Sequence, residues 1–136
     1  IILTRRTDQT LSLKERIELA NQRGADLYVA IHANASPNPR TKGLETLIAE
    51  RAADGDGSLK LAQILQKRLI RELKVSDRGV REQALFISRL KMPAALVEVG
   101  FLTNKEEANR LKKLYWQARV ADAILKAIRD FIKSLP

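Results

Sequence analysis

Ala94-Ala95-Leu96-Val97-Glu98-Val99-Gly100-Phe101-Leu102-Thr103-Asn104 is an apolar, strand-like run that carries one carboxylate and then gives way to small and polar residues. An earlier segment follows the same plan. Asp26-Leu27-Tyr28-Val29-Ala30-Ile31 leads to His32, the only histidine in the chain, and then to Ala33 and Asn34. Open α/β sheets present chemistry in this way, because their ligands bind in the crevice beyond the carboxyl ends of the strands. An imidazole and a carboxylate delivered so suggest a metal ligand and a general base.

Outward from these two segments, the pattern alternates strands with helices. Asp26–His32 is apolar at nearly every position, which predicts burial on both faces of a mostly parallel sheet. Ala94–Val99 is the last strand, Gly43–Ala49 another, and Ile1-Ile2-Leu3-Thr4 reads as a strand already in progress. Leu85-Phe86-Ile87 is expected to be a short strand, and Arg78-Gly79-Val80 part of a connection. Ser12-Leu13-Lys14-Glu15 has the form of a capping box ahead of a helix carrying Leu13, Ile17 and Ala20, with Gly24 as its C-terminal cap. Asn34–Lys42, with Pro37 and Pro39, reads as an exposed loop. Asp54-Gly55-Asp56-Gly57-Ser58 is a turn, with Ser58 expected to cap a helix whose buried stripe is Leu61, Leu65, Leu69 and Leu73, with Ala62 and Ile64 alongside. Asn104 with Glu107 offers a second capping box, and a final helix carries Val120, Ile124, Ile128 and Ile132 on one face. The expected fold is α/β: a three-layer, mostly parallel open sheet with helices on both faces.

Composition narrows the function classes. At 136 residues, 45% hydrophobic and 30% charged, the chain is ordinary globular material and one domain by length, residues 1–136. No apolar run approaches the roughly 20 residues of a membrane-spanning helix. The net charge of +9 favours anionic partners such as nucleic acid, a membrane surface or a wall polymer. Only 4% of residues are aromatic, so a base-stacking platform is poorly supplied and a solvated basic surface is the better account. The absence of cysteine excludes disulfides and thiolate zinc sites. Ser36, Ser58 and Ser88 lack a nucleophile elbow, and no phosphate-cradling glycine loop exists.

His32 at a strand end is either a metal ligand or a structural histidine, and its residue context leaves both open. Glu98 speaks more clearly. A carboxylate ending an apolar run is costly to bury alone, and partial burial raises its pKa toward that of a useful base. The plainer account is a glutamate that meets solvent or one of the many arginines. Gly100, which permits close backbone approach, tips the reading toward function. Glu45, just after Gly43, is a third polar group near the crevice or a local partner for Arg or Lys.

Taken in order, these segments resemble the zinc-dependent N-acetylmuramoyl-L-alanine amidases that cleave bacterial peptidoglycan. The matching blocks are Leu3-Thr4-Arg5 with Asp8, Ser12-Leu13 with Arg16, Ala20-Asn21, Ala25-Asp26-Leu27 leading into Ile31-His32-Ala33-Asn34, and Gly43 with Glu45. Arg78-Gly79-Val80, Pro93-Ala94 and Val97 to Asn104 complete the series. The resemblance implies that His32 is a zinc ligand and Glu98 the catalytic carboxylate. It further implies a peptidoglycan substrate, a place in the cell envelope (periplasmic or extracellular), and no nucleic-acid partner. The family pattern also opens with a Gly-His-Gly-Gly strand end and a following glutamate ligand, neither of which stands in this sequence. The expectation is therefore a domain lacking its N-terminal strand–helix unit and two zinc ligands. A non-Met start inside an apparent strand favours a fragment of an active amidase. The alternatives are a non-catalytic peptidoglycan-binding or regulatory relative, and a site completed by another chain.

Overall fold

The computed structural model describes residues 1–50, 55 and 57–136; Asp54 and Asp56 of the expected turn lie outside the described residues. Four strands, β1 (Tyr28–Asn34), β2 (Leu44–Ala49), β3 (Asp77–Gln83) and β4 (Ala94–Phe101), form one sheet in the order β1-β4-β2-β3. β1 runs parallel to β4 and β2 parallel to β3, while the central β2/β4 pair is antiparallel. Four helices accompany it: α1 (Leu13–Gln22), α2 (Ser58–Leu73), α3 (Lys105–Leu111) and α4 (Leu114–Lys133). The result is the expected α/β class, with an open, mixed sheet.

Side-chain alternation along the strands divides the molecule into layers. Ala95 and Val97 of β4, with Leu44 and Ile48 of β2, enter a large apolar core against α2 and α4. Leu61, Leu65 and Leu69 of α2 are fully buried there, each contributing about 2 kcal/mol of hydrophobic stabilisation. Ala94, Leu96, Leu47 and Ala49 point the other way, onto Ile17 of α1 and Ile87. Helical structure thus covers both faces, as the alternating pattern predicts.

The N-terminus of α1 forms the expected capping box: Ser12 Oγ accepts from Glu15 N–H, and Glu15 accepts from Ser12 N–H at 2.7 Å. Other local expectations need correction. Residues 1–4 form no strand; Ile1, Ile2 and Leu3 are exposed, and among the described residues no strand pairs with them. Arg78-Gly79-Val80 lies inside β3, because a left-handed Gly79 makes a bulge there instead of a loop. Leu85–Ile87 enters a 3₁₀ turn (Phe86–Arg89) that folds Ile87 onto Leu47 and Leu96; three apolar residues are too few to show a period. β1 is not buried on both faces. Among the described residues it pairs with β4 alone, and Ile31 is 55% exposed.

Helix ends and stripes also differ in instructive ways. Ser58 is the first residue of α2 rather than its cap, which is Gly57; the Ser58 hydroxyl instead accepts the Ala94 N–H at 2.9 Å and ties the start of β4 to α2. On α4 the buried stripe runs through Trp116, Val120, Ala123, Ile124, Ala127 and Phe131, leaving Ile132 exposed. Steps of four overshoot a 3.6-residue turn, so the fourth member of the expected series rotates off the face.

Candidate active site

The antiparallel β2/β4 pair brings the starts of β2 and β3 beside the ends of β1 and β4, so one end of the sheet collects side chains from all four strands. In register, His32 of β1 is paired with Glu98 of β4, and Glu98 with Glu45 of β2. Neighbouring strands lie about 4.8 Å apart, and these three residues belong to the same face as Ala30, Leu96 and Leu47. The imidazole and carboxylate singled out by the sequence therefore stand next to each other, and Glu45 completes the row.

The three groups are held very differently. Glu45 is buried and accepts from Asn34 Nδ2 and Arg78 Nε, each at 3.0 Å, with Arg81 Nε at 3.6 Å. Glu45 pairs with arginine, one of the two accounts the sequence left open, and stands in register beside Glu98. Glu98 has a buried Oε2 with no hydrogen-bond partner. Burial, and then the neighbouring charge of Glu45, push its carboxyl pKa above the ordinary range. His32 is exposed to solvent, yet loss of hydration and the nearby Arg16 guanidinium hold its imidazole pKa below the usual value. It is thereby kept neutral, the form that ligates metals.

Backbone defects frame the row. β4 advances three residues from Glu98 to Phe101 while β1 advances two from His32 to Asn34, a bulge containing Gly100 at φ 146°. Bulges of this kind re-aim side chains at sheet ends. The connection 35–43 arches across the end of β4, laced to it by Ser36 N–H on Thr103 Oγ1 at 3.0 Å and Asn104 Nδ2 on the Pro39 carbonyl at 3.0 Å.

Beneath that arch lies a residue the sequence marked only as half of a capping box. Asn104 does cap α3, accepting from Glu107 N–H, but the Glu107 carboxylate does not reach back to Asn104. It accepts from Gly43 N–H at 3.0 Å and Phe101 N–H at 2.8 Å and pairs with Arg110 at 3.3 Å, nearly sealed from solvent. Gly100 makes room for it, since a Cβ there would sit 3.2 Å from Glu107 Oε2. Burial of an acidic residue inside a helix has no local sequence signature. Arg78 and Arg81 were missed for another reason, the assignment of β3 to a connection.

Among the described residues no group of three His, Asp or Glu side chains stands ready to hold a metal ion. His32 offers one imidazole, and Glu98 one oxygen lacking a donor; catalytic zinc takes three protein ligands. The residues described fit part of such a site and do not complete it.

An under-coordinated carboxylate beside an imidazole is an arrangement that can accept and return a proton. The profile of the N-acetylmuramoyl-L-alanine amidase family matches residues 1–130. The chain is 36% identical over 124 residues to the amidase LytC of Bacillus subtilis, covering 90% of this chain and 25% of that protein. It is 35% identical over 131 residues to the uncharacterized protein YqiI of the same organism, covering 96% and 63%. Among solved structures, an N-acetylmuramoyl-L-alanine amidase from Clostridium difficile 630 superimposes with a TM-score of 0.89 at 37% identity, covering 95% of this chain and 69% of that one. The catalytic domain of CwlV from Bacillus (Paenibacillus) polymyxa var. colistinus gives 0.88 at 33%, covering 98% and 73%. The chain belongs to the N-acetylmuramoyl-L-alanine amidase family. It spans between a quarter and two thirds of the two relatives' own lengths.

Proposed function

We propose that residues 1–136 form an amidase-type domain of a peptidoglycan hydrolase acting in the cell envelope. With the remaining zinc ligands supplied, it cleaves the amide between N-acetylmuramic acid and the L-alanine of the stem peptide. The observation that carries this reading is the row His32–Glu98–Glu45, with one Glu98 oxygen buried and unbonded. Glu98 is the catalytic carboxylate. Its raised pKa suits a base that takes a proton from the attacking water and returns it to the departing alanine nitrogen. Glu45, paired with Arg78 and in register beside Glu98, adds to the burial that raises the Glu98 carboxyl pKa.

His32 is one ligand of the zinc that the family uses, its neutral form favoured by its surroundings. Zinc, when bound, supplies Lewis-acid polarisation of the scissile carbonyl and a lower pKa for water. The remaining ligands are not among the described residues, so zinc should bind weakly to these alone.

The test, made on protein with the remaining zinc ligands supplied, is release of stem peptides from purified cell wall in the presence of zinc, alongside metal analysis. Glu98→Ala should lower release by about 10²–10⁴-fold while leaving zinc content nearly intact. His32→Ala should cost both. Wild-type turnover in Glu98→Ala would remove the base assignment. A second reading, a wall-binding relative that does not cleave, is favoured by the single imidazole in the sequence; it predicts retention on wall without any release.

A further inference from the structure

The row of side chains continues past Glu45 to two guanidinium groups on β3, and a backbone irregularity puts them there. In a regular strand, residues three apart point to opposite faces. Here β2 advances two residues from Leu44 to Thr46 while β3 advances three from Asp77 to Val80. The extra residue sits at Gly79, φ 79°, whose N–H donates to the Asp77 carboxylate at 2.8 Å. The bulge returns Arg78 and Arg81 to one side, where both Nε atoms approach the same Glu45 oxygen.

The two arginines are not equivalent. Arg78 is committed: it bonds Glu45 at 3.0 Å, lies over the Phe101 ring at 5.0 Å, and its stem runs across Gly43, where a Cβ would come within 2.9 Å of its Cγ. Arg81 touches Glu45 only at 3.6 Å, has no other ion pair among the described residues, and its side chain is 56% exposed. Glu45 faces two guanidinium groups through one oxygen, and Arg81 holds the longer and weaker of the two contacts. Arg81 meets Glu45 through Nε, and more than half of its side chain is open to solvent.

We propose that Arg81, backed by Arg78, is a specificity subsite for a free carboxylate on the peptide side of the scissile amide. The inference rests on the amidase reading above. A planar guanidinium fork matches a carboxylate in two parallel hydrogen bonds. The glycan side cannot supply the group, because the muramic lactyl carboxyl is itself consumed in the amide. An acidic side chain or terminal carboxylate of the stem peptide is what remains.

Calorimetric titration of the full chain with a muramoyl-peptide, either with free carboxylates or with every carboxylate amidated, tests this. The wild type should bind the free acid at least tenfold more tightly. Arg81→Gln should erase that preference while keeping the affinity for the amidated peptide, which also reports that the variant is folded. Arg81→Lys should retain only part of it, and Arg129→Gln, an exposed change on α4, should leave it whole. Equal wild-type affinities, or an undiminished preference in Arg81→Gln, would overturn the subsite and leave the amidase reading standing. A wild type that binds neither peptide would likewise overturn the subsite, while the amidase reading fails separately, if protein supplied with its remaining zinc ligands releases no stem peptide from wall.

Discussion

Two carboxylates flank the end of β4, and they are treated in opposite ways. Glu107, under the arch of residues 35–43, is buried and satisfied: two backbone N–H groups and Arg110 leave its charge fully answered. Glu98, a few residues earlier on the strand, has one oxygen sealed from water and answered by nothing. A buried polar group without a partner costs on the order of 1–3 kcal/mol, so the fold retains at Glu98 a deficit that it removes at Glu107. Glu107 is committed to holding the strand end together, and Glu98 keeps an oxygen open to a further partner.

This contrast can be broken from either side. The largest expected effect on folding is at Glu107. Glu107→Ala strands a partly buried guanidinium and two backbone donors, and should lower stability by about 3 kcal/mol in urea unfolding. A loss below about 0.5 kcal/mol would show that the junction under α3 is not a support. Gly43→Ala is intermediate. Gly43 sits at φ 114°, and a Cβ would lie 2.7 Å from the Ser76 carbonyl and 2.9 Å from Arg78 Cγ. The change should cost about 1–3 kcal/mol and loosen the hold of Arg78 on Glu45, lowering peptide affinity as well as the melting temperature.

The smallest effect carries the sharpest sign. Because the folded-state pKa of Glu98 is raised, the native chain binds more protons than the unfolded one. Its contribution to stability is therefore most favourable below the ordinary carboxylate pKa and declines as pH rises through the raised value. Glu98→Gln should raise the melting temperature at pH 7 by about 3 °C, with no gain at a pH below the unfolded value. A stabilisation independent of pH would mean that packing, not charge, is what the substitution changes. For His32 the direction is reversed. Its lowered folded pKa means that stability present above the ordinary histidine value is lost as pH falls through the folded one.

Much of this was legible in the chain. The apolar runs ending at His32 and Glu98 marked β1 and β4, and the Leu61–Leu73 stripe marked α2, since both patterns follow from burial along the element. What escaped depends on contacts distant in sequence. β3 is short, charged and bulged, so its strand character comes from pairing with β2 rather than from its residues. The antiparallel β2/β4 junction has no local mark. Glu107 looks like any first-turn acid until Gly43 and Phe101 are seen to aim their N–H groups at it.

The reversal of direction at the centre of the sheet has an evolutionary corollary. Three connections, 35–43, 74–76 and 102–104, border the crevice, because strand beginnings and strand endings share that rim. Away from the anchoring residues Ser36, Gly43, Thr103 and Asn104, each can change character without disturbing the opposite apolar layer against α2 and α4. Variation confined to the remaining positions would reshape the rim around His32, Glu98 and Glu45 while the strands that carry them stay in place.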